Sequence, residues 1–83
     1  MLNVLYFASL REAFGRANEQ MQLPVPAHVG GLIAALRERG GVWLTALSAD
    51  KRWRVAVNQE MADMDTPLDA GDEVAIFPPV TGG

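Results

Sequence analysis

Asp69-Ala70-Gly71-Asp72-Glu73-Val74-Ala75-Ile76-Phe77-Pro78-Pro79, residues 69–79, holds a turn, a strand and a stop in succession. Aspartates flanking a glycine favour a tight turn, and Gly71 is suited to the positive φ that such turns demand. Residues 73–77 then read as a strand, with Val74 and Ile76 on one face and Phe77 on the other. Pro78 and Pro79 have no amide hydrogen to donate, so the ladder ends there.

Towards the N-terminus, residues 60–63 predict a very short edge strand, and Asn58-Gln59 a turn. Residues 52–58 predict a strand with Trp53, Val55 and Val57 on one side. Residues 42–49 have no clear period. They read as a loop with one irregular turn, in which Trp43, Leu44 and Leu47 cover the core. A helix is expected over residues 29–39, where Val29, Leu32, Ile33 and Leu36 follow the i, i+3, i+4, i+7 spacing of an amphipathic stripe. Gly40-Gly41 stops it. Its start is weak: His28 replaces the usual hydroxyl or acidic cap, and Gly30-Gly31 costs roughly 1 kcal/mol per glycine relative to alanine.

Residues 19–24 alternate polar and apolar, which predicts a half-buried strand with Met21 and Leu23 inward, closed by Pro24. Residues 9–17 form a connection in which Leu10 and Phe14 share one face of a short helical turn, and Gly15 ends it. Residues 2–8 predict a nearly continuous apolar strand, as a central position requires. The order is strand, strand, helix, then two or three strands. Two hairpins around one helix, with the first and last strands side by side, give an α+β, β-grasp (ubiquitin-like) arrangement. The expected organisation is a single β-grasp domain over residues 1–83, with residues 78–83 as a protruding diglycine tail.

Composition excludes several classes of chemistry. The 83 residues include no cysteine, one histidine, 10 acidic and 7 basic residues, for a net charge of −3. A disulfide framework, a cysteine nucleophile and a thiolate metal site are therefore absent. A lone His28 cannot build a zinc site, and its simplest role is a solvated residue at a helix start. Ser9 and Ser48 lie outside any nucleophile-elbow pattern. Gly30-Gly31 lacks the flanking residues of a phosphate loop. The basic residues form no stripe, which disfavours a nucleic-acid role. With no signal-peptide pattern and no membrane-length apolar run, a cytoplasmic location is expected.

What remains is the end of the chain, Phe77-Pro78-Pro79-Val80-Thr81-Gly82-Gly83. Two prolines stiffen the exit from the sheet. Gly82 and Gly83 have no side chains and can thread a narrow channel. A carboxylate on Gly83 is unhindered and becomes an acyl donor once a partner adenylates it. The face bearing Phe77 is opposite the helix, so partners are expected to grip Phe77 together with Pro78, Pro79, Val80 and Thr81. Phe7 is a further contact.

The run Gly71-Asp72-Glu73-Val74-Ala75-Ile76-Phe77-Pro78-Pro79-Val80-Thr81-Gly82-Gly83 resembles the C-terminal signature of the small, sulfur-carrying subunits of molybdopterin synthase. Val4-Leu5-Tyr6-Phe7-Ala8, Leu10-Arg11-Glu12 and Ala56-Val57-Asn58-Gln59-Glu60 extend the resemblance along the chain. It implies a β-grasp fold and no permanently bound cofactor. An adenylating enzyme similar to ubiquitin-activating enzymes would use ATP and magnesium to activate Gly83. A sulfur-transfer protein would then convert the adenylate to a thiocarboxylate. The charged carrier would join the large catalytic subunit, which holds precursor Z, in a heterotetramer of two small and two large subunits. Arg11 joins the expected contacts on this basis. Three alternatives share much of the pattern: a carrier for thiamin thiazole synthesis, a ubiquitin-like modifier joined to lysines, and a β-grasp binding module with an inert tail.

Overall fold

The computed structural model describes residues 1–78. The elements run β1 (Leu2–Tyr6), α1 (Ala8–Phe14), β2 (Asn18–Met21), α2 (Val29–Arg37), α3 (Val42–Ala46), β3 (Arg54–Val57), β4 (Glu60–Ala62) and β5 (Glu73–Phe77). The five strands form one sheet in the order β2-β1-β5-β3-β4. β1 and β5 pair in parallel at its centre, and the other pairings are antiparallel. This is the mixed-sheet β-grasp arrangement that the sequence pattern predicts.

One sheet face is apolar and carries the helices. Leu2, Val4 and Tyr6 of β1, Val74 and Ile76 of β5, and Val55 and Val57 of β3 are buried there, against Val29, Leu32, Ile33 and Leu36 of α2. Leu10 and Phe14 close one flank from α1, and Leu47 and Leu68 fill the remainder. The helical stripe expected from residue spacing is therefore the buried one, although α2 ends two residues earlier than expected.

The weak start of α2 is compensated by its surroundings. The Nδ1 atom of His28 accepts a hydrogen bond from the Gly31 amide at 3.0 Å, so this histidine is a genuine cap rather than a free solvated side chain. The Val29 and Gly30 amides donate to the carbonyls of Thr66 and Met64. The first turn thus has partners for amides that helix geometry leaves unpaired. Gly31 is required by space: a Cβ there would lie 2.1 Å from the Pro26 carbonyl oxygen.

Several expectations need correction. β2 begins at Asn18 and ends at Met21, so Leu23 lies outside it and is exposed. The residue sharing the inner face with Met21 is Glu19. Tyr6 donates its hydroxyl to Glu19 at 2.5 Å, and Arg39 grips the carboxylate with two bonds of 2.9 Å. Residues 42–46 are a short helix rather than a loop. Trp43 stacks on Phe14 with ring centroids 3.9 Å apart and lies under the Arg39 guanidinium, whereas Leu44 faces outward and covers nothing.

The turns follow the expected chemistry. Asn58 and Gln59 have φ of 50° and 70°, as a two-residue hairpin turn requires, and Gly71 has φ of 91°. Asp72 ties the two turns together. It accepts from the Asp69 amide and from the Asn58 side chain, which hold its carboxyl below the usual range.

Candidate functional site

The parallel pairing of β1 and β5 determines what surrounds the exit of the chain. Tyr6 aligns with Ile76, and the Phe7 amide continues the ladder by donating to the Ile76 carbonyl at 3.2 Å. Phe7 and Phe77 therefore stand at the same end of the sheet. Residues alternate across a strand. Phe7 follows Leu5 onto the face opposite the helices, and Phe77 shares that face with Glu73 and Ala75. The corner presenting Phe7 holds backbone strain, since Ala8 has φ of 51° without being glycine.

Register extends this open face across the sheet. Leu5 aligns with Ala75, Ala75 with Ala56, and Ala56 with Met61. These four residues form an apolar row from the middle of the sheet to its edge, with Phe7 and Phe77 near its tail end. Phe7 is 46% exposed and Met61 60%, while Phe77 is half-buried. Exposed aromatic and thioether side chains gathered on one face, with no helix over them, suit a protein partner. Leu5, Ala56, Ala75 and Met61 were not identified as candidates from the sequence. Their signal is the register of β3, β4 and β5, which residue spacing alone does not supply.

Pro78 turns back towards the helices. It lines a cavity of about 200 Å3 with Ser9, Leu10, Ala13, Ala46, Lys51 and Trp53. Trp53 is held there by a 3.0 Å bond from its indole nitrogen to the Ser48 carbonyl. The same Trp53 lines a larger groove of about 710 Å3 with Arg52, Arg54, Met61 and Met64 at the β4 edge. The chain leaves the sheet between Phe77 on the open face and Pro78 on this buttressed rim. Arg11 is an exposed residue of α1. Pro79, Val80, Thr81, Gly82 and Gly83, also candidates from the sequence, lie outside the described residues.

The described residues carry no catalytic constellation. They contain no group of histidine and carboxylate side chains able to hold a metal ion. His28 is occupied as a helix cap. Tyr6 is buried against the Glu19 carboxylate, and both effects push its hydroxyl well above the usual range. No helix among them is long and apolar enough to cross a membrane. What the arrangement offers is a docking face at the foot of the chain's last residues.

Comparisons with known proteins agree with this organisation. The model of the ThiS family matches residues 4–83. The molybdopterin synthase sulfur carrier subunit of Escherichia coli strain K12 is 41% identical over 83 residues, covering 100% of both chains. The crystal structure of small archaeal modifier protein 1 from H. volcanii superposes with a TM-score of 0.76 at 28% identity, over 95% of this chain and 97% of that one. A chain from the complex of subunits 1 and 2 of the molybdopterin-converting factor of Helicobacter pylori 26695 superposes with a TM-score of 0.70 at 25% identity. The superposition covers 99% of this chain and 97% of that one. With nearly every residue matched and the same fold in these relatives, the chain belongs to the ThiS family.

Proposed function

We propose that this chain is the sulfur carrier of a molybdopterin synthase, with its chemistry on the Gly83 carboxylate. An adenylating enzyme uses ATP and magnesium to convert that carboxylate to an acyl adenylate. The terminal sulfur of a persulfide on a transfer protein attacks the acyl carbon and AMP leaves. A second thiol of that protein then cleaves the acyl disulfide, which releases the thiocarboxylate and leaves a disulfide on the transfer protein. The large synthase subunit then receives the tail, and the sulfur passes to precursor Z. A dithiolene contains two sulfurs, so two carriers are consumed per product, which suits an assembly of two small and two large subunits. The cycle takes place in the cytoplasm.

The observation that carries this reading is the full-length likeness to sulfur carrier subunits, combined with an apolar open face at the base of a Gly82-Gly83 tail. The chain has no thiol, so a carried sulfur needs another attachment point, and the terminal carbonyl provides it. Phe7, Met61 and Phe77 anchor the partner, Pro78 fixes the exit, and Gly82 keeps the tail narrow.

The decisive experiment is a reconstituted synthase assay with the full chain and with Gly83 deleted. The deleted protein should keep its melting midpoint and lose product formation. Normal product from it would refute the role of Gly83. Intact-mass measurement of protein from its native cell should show one oxygen replaced by sulfur. The likeness to an archaeal modifier protein favours one second reading, in which activated Gly83 is joined to lysines of other proteins. Isopeptide conjugates that vanish with the Gly83 deletion, in cells where molybdopterin formation is unaffected, would select it.

A further inference from the structure

All seven basic residues lie between positions 11 and 54, and six of the ten acidic ones fall between positions 60 and 73. The fold converts this asymmetry in the sequence into one in space. β3 runs antiparallel to β5, with Arg54 aligned to Phe77 and Val57 to Val74. Arg54 and the residues before it are therefore at the tail end of the sheet. Glu60, Asp69, Asp72 and Glu73 gather at the opposite end, around the two turns.

Lys51, Arg52 and Arg54 are all exposed. Lys51 lines the cavity beneath Pro78, while Arg52 and Arg54 line the groove beside Met61, which Asp63 also lines. Among the described residues, the ion pairs are those of Glu19 with Arg16 and Arg39, and none involves these three. The nearby carboxylates have local partners. Asp50 accepts from the Ser48 hydroxyl, and Asp63 accepts from the Asp65 amide and the Thr66 hydroxyl. Lys51 attracts the neighbouring Asp50 carboxylate without pairing with it, and Arg52 and Arg54, two like charges on one groove, repel each other. We infer that Lys51, Arg52 and Arg54 form a basic collar around the tail exit, and that it docks on an acidic rim of the large subunit that takes up the tail. This rests on the carrier reading above. The collar adjoins Phe77, Pro78 and Met61, so a partner covering the open face must meet it. Opposite charges on that rim steer encounter and fix the direction of approach, while the acidic far end is repelled.

The test measures association of the full-length carrier with the large synthase subunit from the same source, at low and high salt. The double variant Arg52→Gln/Arg54→Gln removes two positive charges. Gln22→Glu/Gln59→Glu reaches the same net charge by altering exposed residues at the far end. At low salt the collar variant should associate about tenfold more slowly, with dissociation changed by less than about twofold. The difference should shrink as salt rises towards about 1 M, where screening becomes short-ranged. The far-end variant should keep the wild-type rate, and melting midpoints check that all three fold. Equal association rates, or equal slowing in both variants, would overturn the collar. So would binding of inorganic triphosphate that the collar variant loses while its association with the protein is unchanged, since the collar would then serve a nucleotide. If the wild type neither binds the large subunit nor delivers sulfur, the carrier reading itself fails, and the two failures are distinguishable.

Discussion

Gly31 is held to its identity by one contact. An added methyl group would meet the Pro26 carbonyl oxygen at 2.1 Å, and that oxygen belongs to backbone that cannot swing aside. Gly31→Ala should therefore destabilise the fold by about 2–4 kcal/mol, despite alanine's better helix propensity. A denaturant melt with an unchanged midpoint would refute this. On the proposed function, Gly82 is constrained by the channel that the tail must thread. Gly82→Val widens the tail and restricts its backbone, so adenylation and sulfur transfer should both fall sharply while stability is unchanged. Stopped assays of each half-reaction would detect the loss. Residue spacing identified both glycine pairs and misjudged one of them. The cost of Gly30-Gly31 was evident from propensity, but the carbonyl that demands Gly31 comes from a loop five residues earlier, which no local pattern reveals.

At the scale of elements, the strands and the long helix were legible because burial imposes a period on them. The misreadings occur where a polar group or a distant neighbour overrides that period. Glu19 sits on an inward position because Tyr6 and Arg39 satisfy it, and β2 stops before Leu23. α3 is five residues long, too short to show a helical period, and only Trp43 and Ala46 of it pack against the core. The open-face row was missed for a related reason: β4 is only three residues long, too short for alternation to mark Met61. The contact linking β2 to the end of α2 is sensitive to acid. Hydrogen bonds from Arg39 chiefly, helped by Tyr6, hold the Glu19 carboxyl below its ordinary 4.5, against the opposing effect of burial. A depressed carboxyl pKa contributes stability that is present above the unfolded value and lost as pH falls through the folded one. The melting midpoints of wild type and Glu19→Gln should therefore differ near neutral pH and converge as pH falls below the ordinary carboxylate range. A gap that stays constant across that range would show that the ion pair contributes nothing.

For the molecule as a whole, the helix side holds the fold together and the open side is left for partners. Phe77→Ala tests this division. It should weaken binding to the large subunit by about 2 kcal/mol or more, as anchor residues do, while moving the melting midpoint little. Titration calorimetry beside a thermal melt separates the two effects, and an unchanged affinity would remove Phe77 from the interface. The central pairing of β1 with β5 also bears on how the protein is made. Residues 73–77 supply the strand to which both β1 and β3 are joined. A nascent chain on the ribosome has no sheet to complete until those residues emerge, because the two halves of the sheet meet only through them. A product released before that point presents neither the Phe7–Phe77 face nor a tail. On the carrier reading, the strand order amounts to proofreading: a chain that lacks β5 also lacks Gly83, so it has nothing to offer an activating enzyme.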